Sequence, residues 1–115
     1  LNNSKYLNMA QLQLNNIKSD IPSYGSGYSN WAILMLNYVA PFYEVAIVGN
    51  QALQKALDFK QFYAPNTLLL GCTRESTLPL LQNKMLEGQT TFYICKNKSC
   101  RLPTTELEKV LNLVQ

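Results

Sequence analysis

Residues 44–72 read "EVAIVGNQALQKALDFKQFYAPNTLLLGC", and this stretch decides the fold class. Glu44 to Gly49 is a short apolar run rich in β-branched residues and closed by glycine, the pattern of a strand buried on both faces. Asn50 can cap a helix whose stripe is Leu53, Ala56, Leu57, Phe59 and Tyr63, and Pro65 requires that helix to end near Ala64. Asn66 to Cys72 is a second apolar run and a second expected buried strand. Strand, helix, strand is a βαβ unit, in which a right-handed crossover joins two parallel strands.

Toward the C-terminus, a polar loop, "TREST", leads to "LPLLQNKM", whose pattern decides neither for a short helix nor for a loop. "QTTFYICKN", residues 89–97, is a third strand, with Phe92 and Ile94 on one face and Tyr93 and Cys95 on the other. Both faces are apolar, so this strand is expected to be covered on both sides. The last helix opens on Thr105 and Glu108, which have the spacing of a capping box, and carries Leu107, Val110, Leu111 and Val114 as its core stripe.

Toward the N-terminus, Leu7, Ala10, Leu14 and Ile17 recur at three- and four-residue steps between Ser4 and Lys18, with Tyr6 and Met9 widening the stripe. "SDIPSYGSGYS" stops this amphipathic helix through Pro22, Gly25 and Gly27. A second helix starts at Ser29, a suitable N-cap, and runs to Pro41. Trp31, Ala32, Ile33, Leu34, Met35, Leu36, Tyr38 and Val39 leave it almost no polar face. Such a helix belongs in an interior, either that of this small domain or one completed by a partner or a further part of the same chain. The expected architecture is therefore α/β: a helical hairpin over residues 1–43, then a small module over residues 44–115 with a three-stranded βαβ-type sheet and a C-terminal helix.

The 115 residues allow one core. Charged residues make up 15% of them, well below the roughly 25% of an ordinary globular domain, so apolar surface is expected to be covered. Net charge is +3, and the ten basic residues are scattered, which argues against a nucleic-acid partner. No apolar run approaches the ~20 residues that span a bilayer, and "LNNSKYLNMA" lacks the features of a signal peptide, so no membrane partner is expected. Three cysteines leave at least one free thiol and fit a reducing, cytoplasmic setting. The helical texture of the first dozen residues, which begin at Leu1, leads us to expect a longer parent chain.

The cysteine pair of "CKNKSC" is the first candidate site. Zinc wants four Cys or His ligands, and the chain has three cysteines and no histidine, so no metal is expected. Cys95 and Cys100 could be reduced residues bordering the core, or a disulfide or redox pair across a turn, with Lys96, Lys98 and Arg101 favouring thiolate. Their spacing is not that of a thioredoxin-type motif. Cys72 is the second candidate because it ends a parallel strand, where open α/β sheets gather ligands. It has no histidine base, and Leu78 stands where a phosphatase-like loop would place arginine, so a buried strand-end cysteine is the simpler reading. Gly49 and Asn50, at the other strand-to-helix turn, lack the further glycines of a dinucleotide fingerprint and the lysine of a P-loop, and no cofactor is expected. The loops carrying Gly49, Asn50, Cys72, Thr73 and Arg74 remain candidates for small-ligand binding. Glu44, Asp58, Glu106 and Glu108 offer no paired carboxylates for glycoside chemistry.

Three blocks, "GYSNWAILMLNYVAPFYEVAIVG", "LPLL" and "TTFYICKNKSCRLPTTELEKVL", together resemble the C-terminal end of the bacterial YyaL-like proteins, a family that includes the spermatogenesis-associated thioredoxin-like proteins of animals. The strand followed by Cys95, Cys100 and Pro103 is its most specific part. The resemblance implies a parent with an N-terminal thioredoxin-like domain and a central α/α toroid similar to six-hairpin glycosidases. Residues 1–43 would then be the last toroid helices, and the family's redox motif and any sugar site would lie in other domains. It supplies an architecture rather than a reaction, and no active-site residue transfers to this segment. The expected role is a non-catalytic structural and interaction module, whose partners are the toroid and thioredoxin-like domains, with self-association through the hairpin as a further expectation. The alternative is a redox module in which Cys95 and Cys100 exchange electrons with the thioredoxin-like domain.

Overall fold

Residues 3–115 are described by a computed structural model, and the chain divides between Pro41 and Phe42 into two units. This boundary falls two residues before the one expected from sequence, because Phe42 and Tyr43 already lead into the sheet.

The first unit is a pair of helices. Helix α1, Ser4–Ile17, is capped by Asn3, whose Oδ1 accepts from the Lys5 N–H at 3.0 Å. A 3₁₀ turn, Ile21–Ser23, begins with Pro22 near its start, where a missing N–H costs nothing. Helix α2, Ser29–Val39, has Tyr28 rather than Ser29 at its N-cap and makes no side-chain cap. The Tyr38 hydroxyl donates to the Leu7 carbonyl at 3.2 Å and ties α2 to α1. Leu14 is buried, whereas no residue of α2 is.

The second unit contains strands β1 (Tyr43–Val48), β2 (Thr67–Cys72), β3 (Thr91–Lys96) and β4 (Ser99–Cys100), with helices α3 (Ala52–Phe59) and α4 (Leu107–Val114). The sheet order is β2-β1-β3-β4. It thus has four strands where three were expected; the fourth, of two residues, is too short to leave a periodic signal. β1 pairs parallel with β2, from Tyr43↔Thr67 to Val48↔Cys72, as the βαβ reading requires. On its other edge β1 pairs antiparallel with β3, with Val45 opposite Ile94 and Ile47 opposite Phe92.

Chain length led us to expect one core, but alternation along the strands makes two, one on each face of the sheet. Val45 and Ile47 of β1 and Phe92 and Ile94 of β3 face α3 and α4, which contribute Ala52, Phe59, Val110, Leu111 and Val114. Ala46 and Val48 face the opposite way, where Leu81 is buried with Leu70, Met85 and Tyr93 around it. The segment "LPLLQNKM" is therefore a run of turns that roofs this second face. The Tyr93 hydroxyl donates to the Lys84 carbonyl at 2.8 Å and fastens that roof to β3.

Four local expectations are corrected. Helix α3 stops at Phe59, because Lys60 closes it through its N–H to the Ala56 carbonyl and Phe62 turns back on the Phe59 carbonyl. Its inward row is Ala52, Ala56 and Phe59; Leu53 is 70% exposed and Tyr63 82%. The small residues let α3 lie close to the sheet, where a Cβ added at Gly71 would come within 3.8 Å of the Ala52 Cβ. β2 is an edge strand and only half-buried, not buried on both faces. The capping box of α4 does not form: Glu106 is the N-cap, without a side-chain cap bond, and its N–H donates to Thr104 Oγ1 at 3.2 Å. Glu106 instead pairs with Lys109 in an exposed i,i+3 salt bridge.

Phe59→Ala should cost about 3–5 kcal/mol by emptying the space between α3 and the sheet, whereas Leu53→Ala should change stability by less than about 0.5 kcal/mol. Urea unfolding of the two variants checks this ordering, which is the reverse of what an apolar stripe centred on Leu53 would give.

Candidate functional site

The parallel pairing of β1 with β2 brings the two candidate loops to one end of the sheet. The Gly49 N–H donates to the Cys72 carbonyl at 3.0 Å, so the strand ends are joined where the loops begin. Gly49 has φ +135°, and an added Cβ would meet the Gln89 carbonyl at 2.3 Å. Glycine here answers to a backbone approach rather than to a ligand. Asn50 does not cap α3. The Gln51 N–H donates across the fold to Thr90 Oγ1 at 3.0 Å, and the Ala52 N–H to the Gly49 carbonyl, also at 3.0 Å. Two of the free N–H groups that an anion would need are thus already engaged.

Two adjoining recesses lie outside these strand ends. One, of about 530 Å³, is lined by Ala52, Leu53, Ala56 and Gly71 to Ser76; the other, of about 440 Å³, by Asn50, Thr73 to Glu75 and Met85 to Gln89. Asn50, Cys72, Thr73 and Arg74 therefore border a common region, while Gly49 is buried behind it. Glu75 is committed elsewhere, since its Oε1 accepts from the Asn83 N–H at 2.9 Å and holds the roof segment.

Cys72 is a half-buried free thiol. Burial pushes its pKa up, and the nearby Glu75 carboxylate pushes it further in the same direction. A raised pKa means less thiolate at neutral pH, the opposite of what a nucleophile requires.

Cys95 and Cys100 form a disulfide. Of the two expected states, reduced or joined, the structure contains the joined one. They face each other in the β3–β4 register, one residue before the Lys96↔Ser99 pair. Asn97 and Lys98, with φ 51° and 68°, make the two-residue turn, so this is a type I′ hairpin. The asparagine was the available signal for it; lysine at the second position, where glycine is usual, hid it. Cys95 is 1% exposed, whereas Cys100 lies on the surface. Lys96 stands over the Tyr43 ring with its Nζ 5.7 Å from the centroid, while Lys98 and Arg101 are exposed. Among the described residues no group of three or more His, Cys, Asp or Glu is arranged to hold a metal, and no helix is long and apolar enough to cross a membrane.

No protein-family model matches this chain, and neither a curated protein nor a solved structure matches it significantly.

Gly49→Ala should destabilise the protein by at least about 1–3 kcal/mol, since it combines a left-handed backbone with an overlap against the main chain of residues 89 and 90. Denaturant midpoints measure this. Cys72 should alkylate slowly at neutral pH and faster as pH rises, and Glu75→Gln should lower its pKa and speed the reaction. Iodoacetamide labelling against pH, with the disulfide intact, reads both effects.

Proposed function

We propose that this chain is a non-catalytic structural and interaction module, the C-terminal part of a larger thioredoxin-like, carbohydrate-enzyme-like protein, and that α1 and α2 dock against further helices of that parent. The observation that carries the reading is the exposure of α2: Ile33, Leu36 and Val39 are 57%, 51% and 74% exposed in a helix whose polar residues are only Ser29, Asn30 and Asn37. Tyr6, Met9 and Leu12 of α1, at 67%, 48% and 64%, extend the apolar surface. Apolar patches of this kind are covered in working proteins, and a helix without a polar face is an interior helix. The resemblance to the YyaL-like C-terminus supplies the cover, namely the preceding helices of an α/α toroid.

The 115-residue chain should self-associate or bind a hydrophobic dye, and should form a complex with the separately produced remainder of the parent. Ile33→Asp with Val39→Asp should abolish both behaviours while leaving the unfolding of the sheet unit unchanged. A chain that stays monomeric at high concentration, binds no dye and forms no such complex would sink this reading.

A second reading is favoured by the Cys95–Cys100 bond itself. In it the hairpin is a redox module that exchanges its disulfide with a thioredoxin-like dithiol. Counting thiols before and after exposure to such a dithiol protein under native conditions tests it: one thiol should become three.

A further inference from the structure

The segment from Asn97 to Thr104 runs back along the free edge of β3 and is held at its two ends by different forces. At the far end the hold is non-covalent and centres on the buried Phe92. The Phe92 N–H donates to the Thr104 carbonyl at 2.7 Å, the Thr104 N–H donates to the Phe92 carbonyl at 3.1 Å, and Lys55 Nζ donates to the Thr105 carbonyl at 3.0 Å. Beyond it, Val110, Leu111 and Val114 anchor α4 in the core. At the near end almost nothing except the disulfide holds. β4 has two residues, every residue from Lys96 to Pro103 is exposed, and Leu102 is 90% exposed. Lys98 occupies a left-handed conformation that a side-chain-bearing residue rarely adopts. The Arg101 N–H to the Ile94 carbonyl, at 2.9 Å, is a strand bond open to solvent on one side.

Resting on the redox reading above, we infer that Cys95–Cys100 is a thiol-operated latch: a dithiol attacks the disulfide at Cys100, and its reduction releases the strap Asn97–Pro103 from β3 while Thr104 and α4 stay in place. Exposure selects the sulfur. Cys100 is on the surface, Cys95 is enclosed, and attack at one sulfur expels the other. One thiolate of the dithiol bonds to Cys100 Sγ as the Cys95–Cys100 bond breaks, and Cys95 leaves as a thiolate that takes a proton from water. The second thiol of the reductant, deprotonated, then attacks its partner sulfur in the mixed disulfide and expels Cys100 as a thiolate, which is protonated in turn. The hairpin gains two electrons and two protons, and the dithiol becomes a disulfide. Lys98 and Arg101, exposed beside Cys100 in the chain, give the hairpin a positive surface, the kind of setting that favours thiolate over thiol. With the bond gone, a disfavoured turn and a two-residue ladder must hold the strap alone, and local opening of such segments takes little free energy.

The test uses the whole chain and a thioredoxin-type protein as the dithiol. A form of that protein lacking its resolving cysteine should trap a mixed disulfide that peptide mapping places on Cys100. Amide hydrogen exchange of the oxidised and reduced protein should show protection at Arg101 falling about tenfold or more on reduction, with Phe92, Thr104 and α4 unchanged. Lys98→Gly should restore part of that protection in the reduced protein, because glycine removes the strain of the turn. If the dithiol does not reduce the native disulfide, the latch and the redox reading both fail. If it does, but attacks Cys95 or leaves Arg101 protected, the latch alone is overturned.

Discussion

Strand β1 is hydrogen-bonded on both edges and covered on both faces, and the second unit is organised around that constraint. Val45, Ala46, Ile47 and Val48 are all 0% exposed. A strand so placed needs parallel and antiparallel neighbours at once, two covering layers, and side chains that pack on either side. Full burial of each Val or Ile side chain here is worth about 1.5–3 kcal/mol before the entropy of ordering it is subtracted. The crossover helix, the C-terminal helix and the turns of residues 78–89 all exist in relation to this strand. Displacing it would expose both cores.

The two sheet edges are finished in different ways. β2 ends the sheet on one side with half-buried residues. On the other side β3 is followed by a strap that pairs with it at Cys100 and again at Thr104, interrupted by Leu102 and Pro103. Pro103 cannot donate to a ladder, so a short, broken edge strand of this kind gives a neighbouring chain little to pair with. The disulfide lies where that edge is thinnest. The helical unit contrasts with this: its apolar residues outnumber the places available to bury them, and the excess is on the surface.

The elements carried by strong periodicity were legible in the sequence. The βαβ unit, the two faces of β3, the stripe of α4 and the extent of α1 follow from residue pattern, because alternation and the 3.6-residue period state directly which side chains share a face. Boundaries set by distant partners were not legible. Thr90 holds the start of α3 from 39 residues away in sequence, which left Asn50 without its expected capping role. Ala52, not Leu53, faces the sheet because the helix must come close at Gly71, and no local pattern distinguishes those two rows.

The candidate residues divide in the same way. Sequence by itself determined the α/β class, the scarcity of acid–base and metal-binding groups, and the pairing options of three cysteines, since these depend only on residue type and spacing. Tertiary structure decided that Gly49 serves a backbone approach, that Cys72 sits where burial and Glu75 keep its thiol protonated, and that Cys95 meets Cys100 across a turn. The reason is physical: backbone clearance, desolvation and sulfur–sulfur contact are properties of neighbours in space, and residues far apart in the chain supply most of those neighbours.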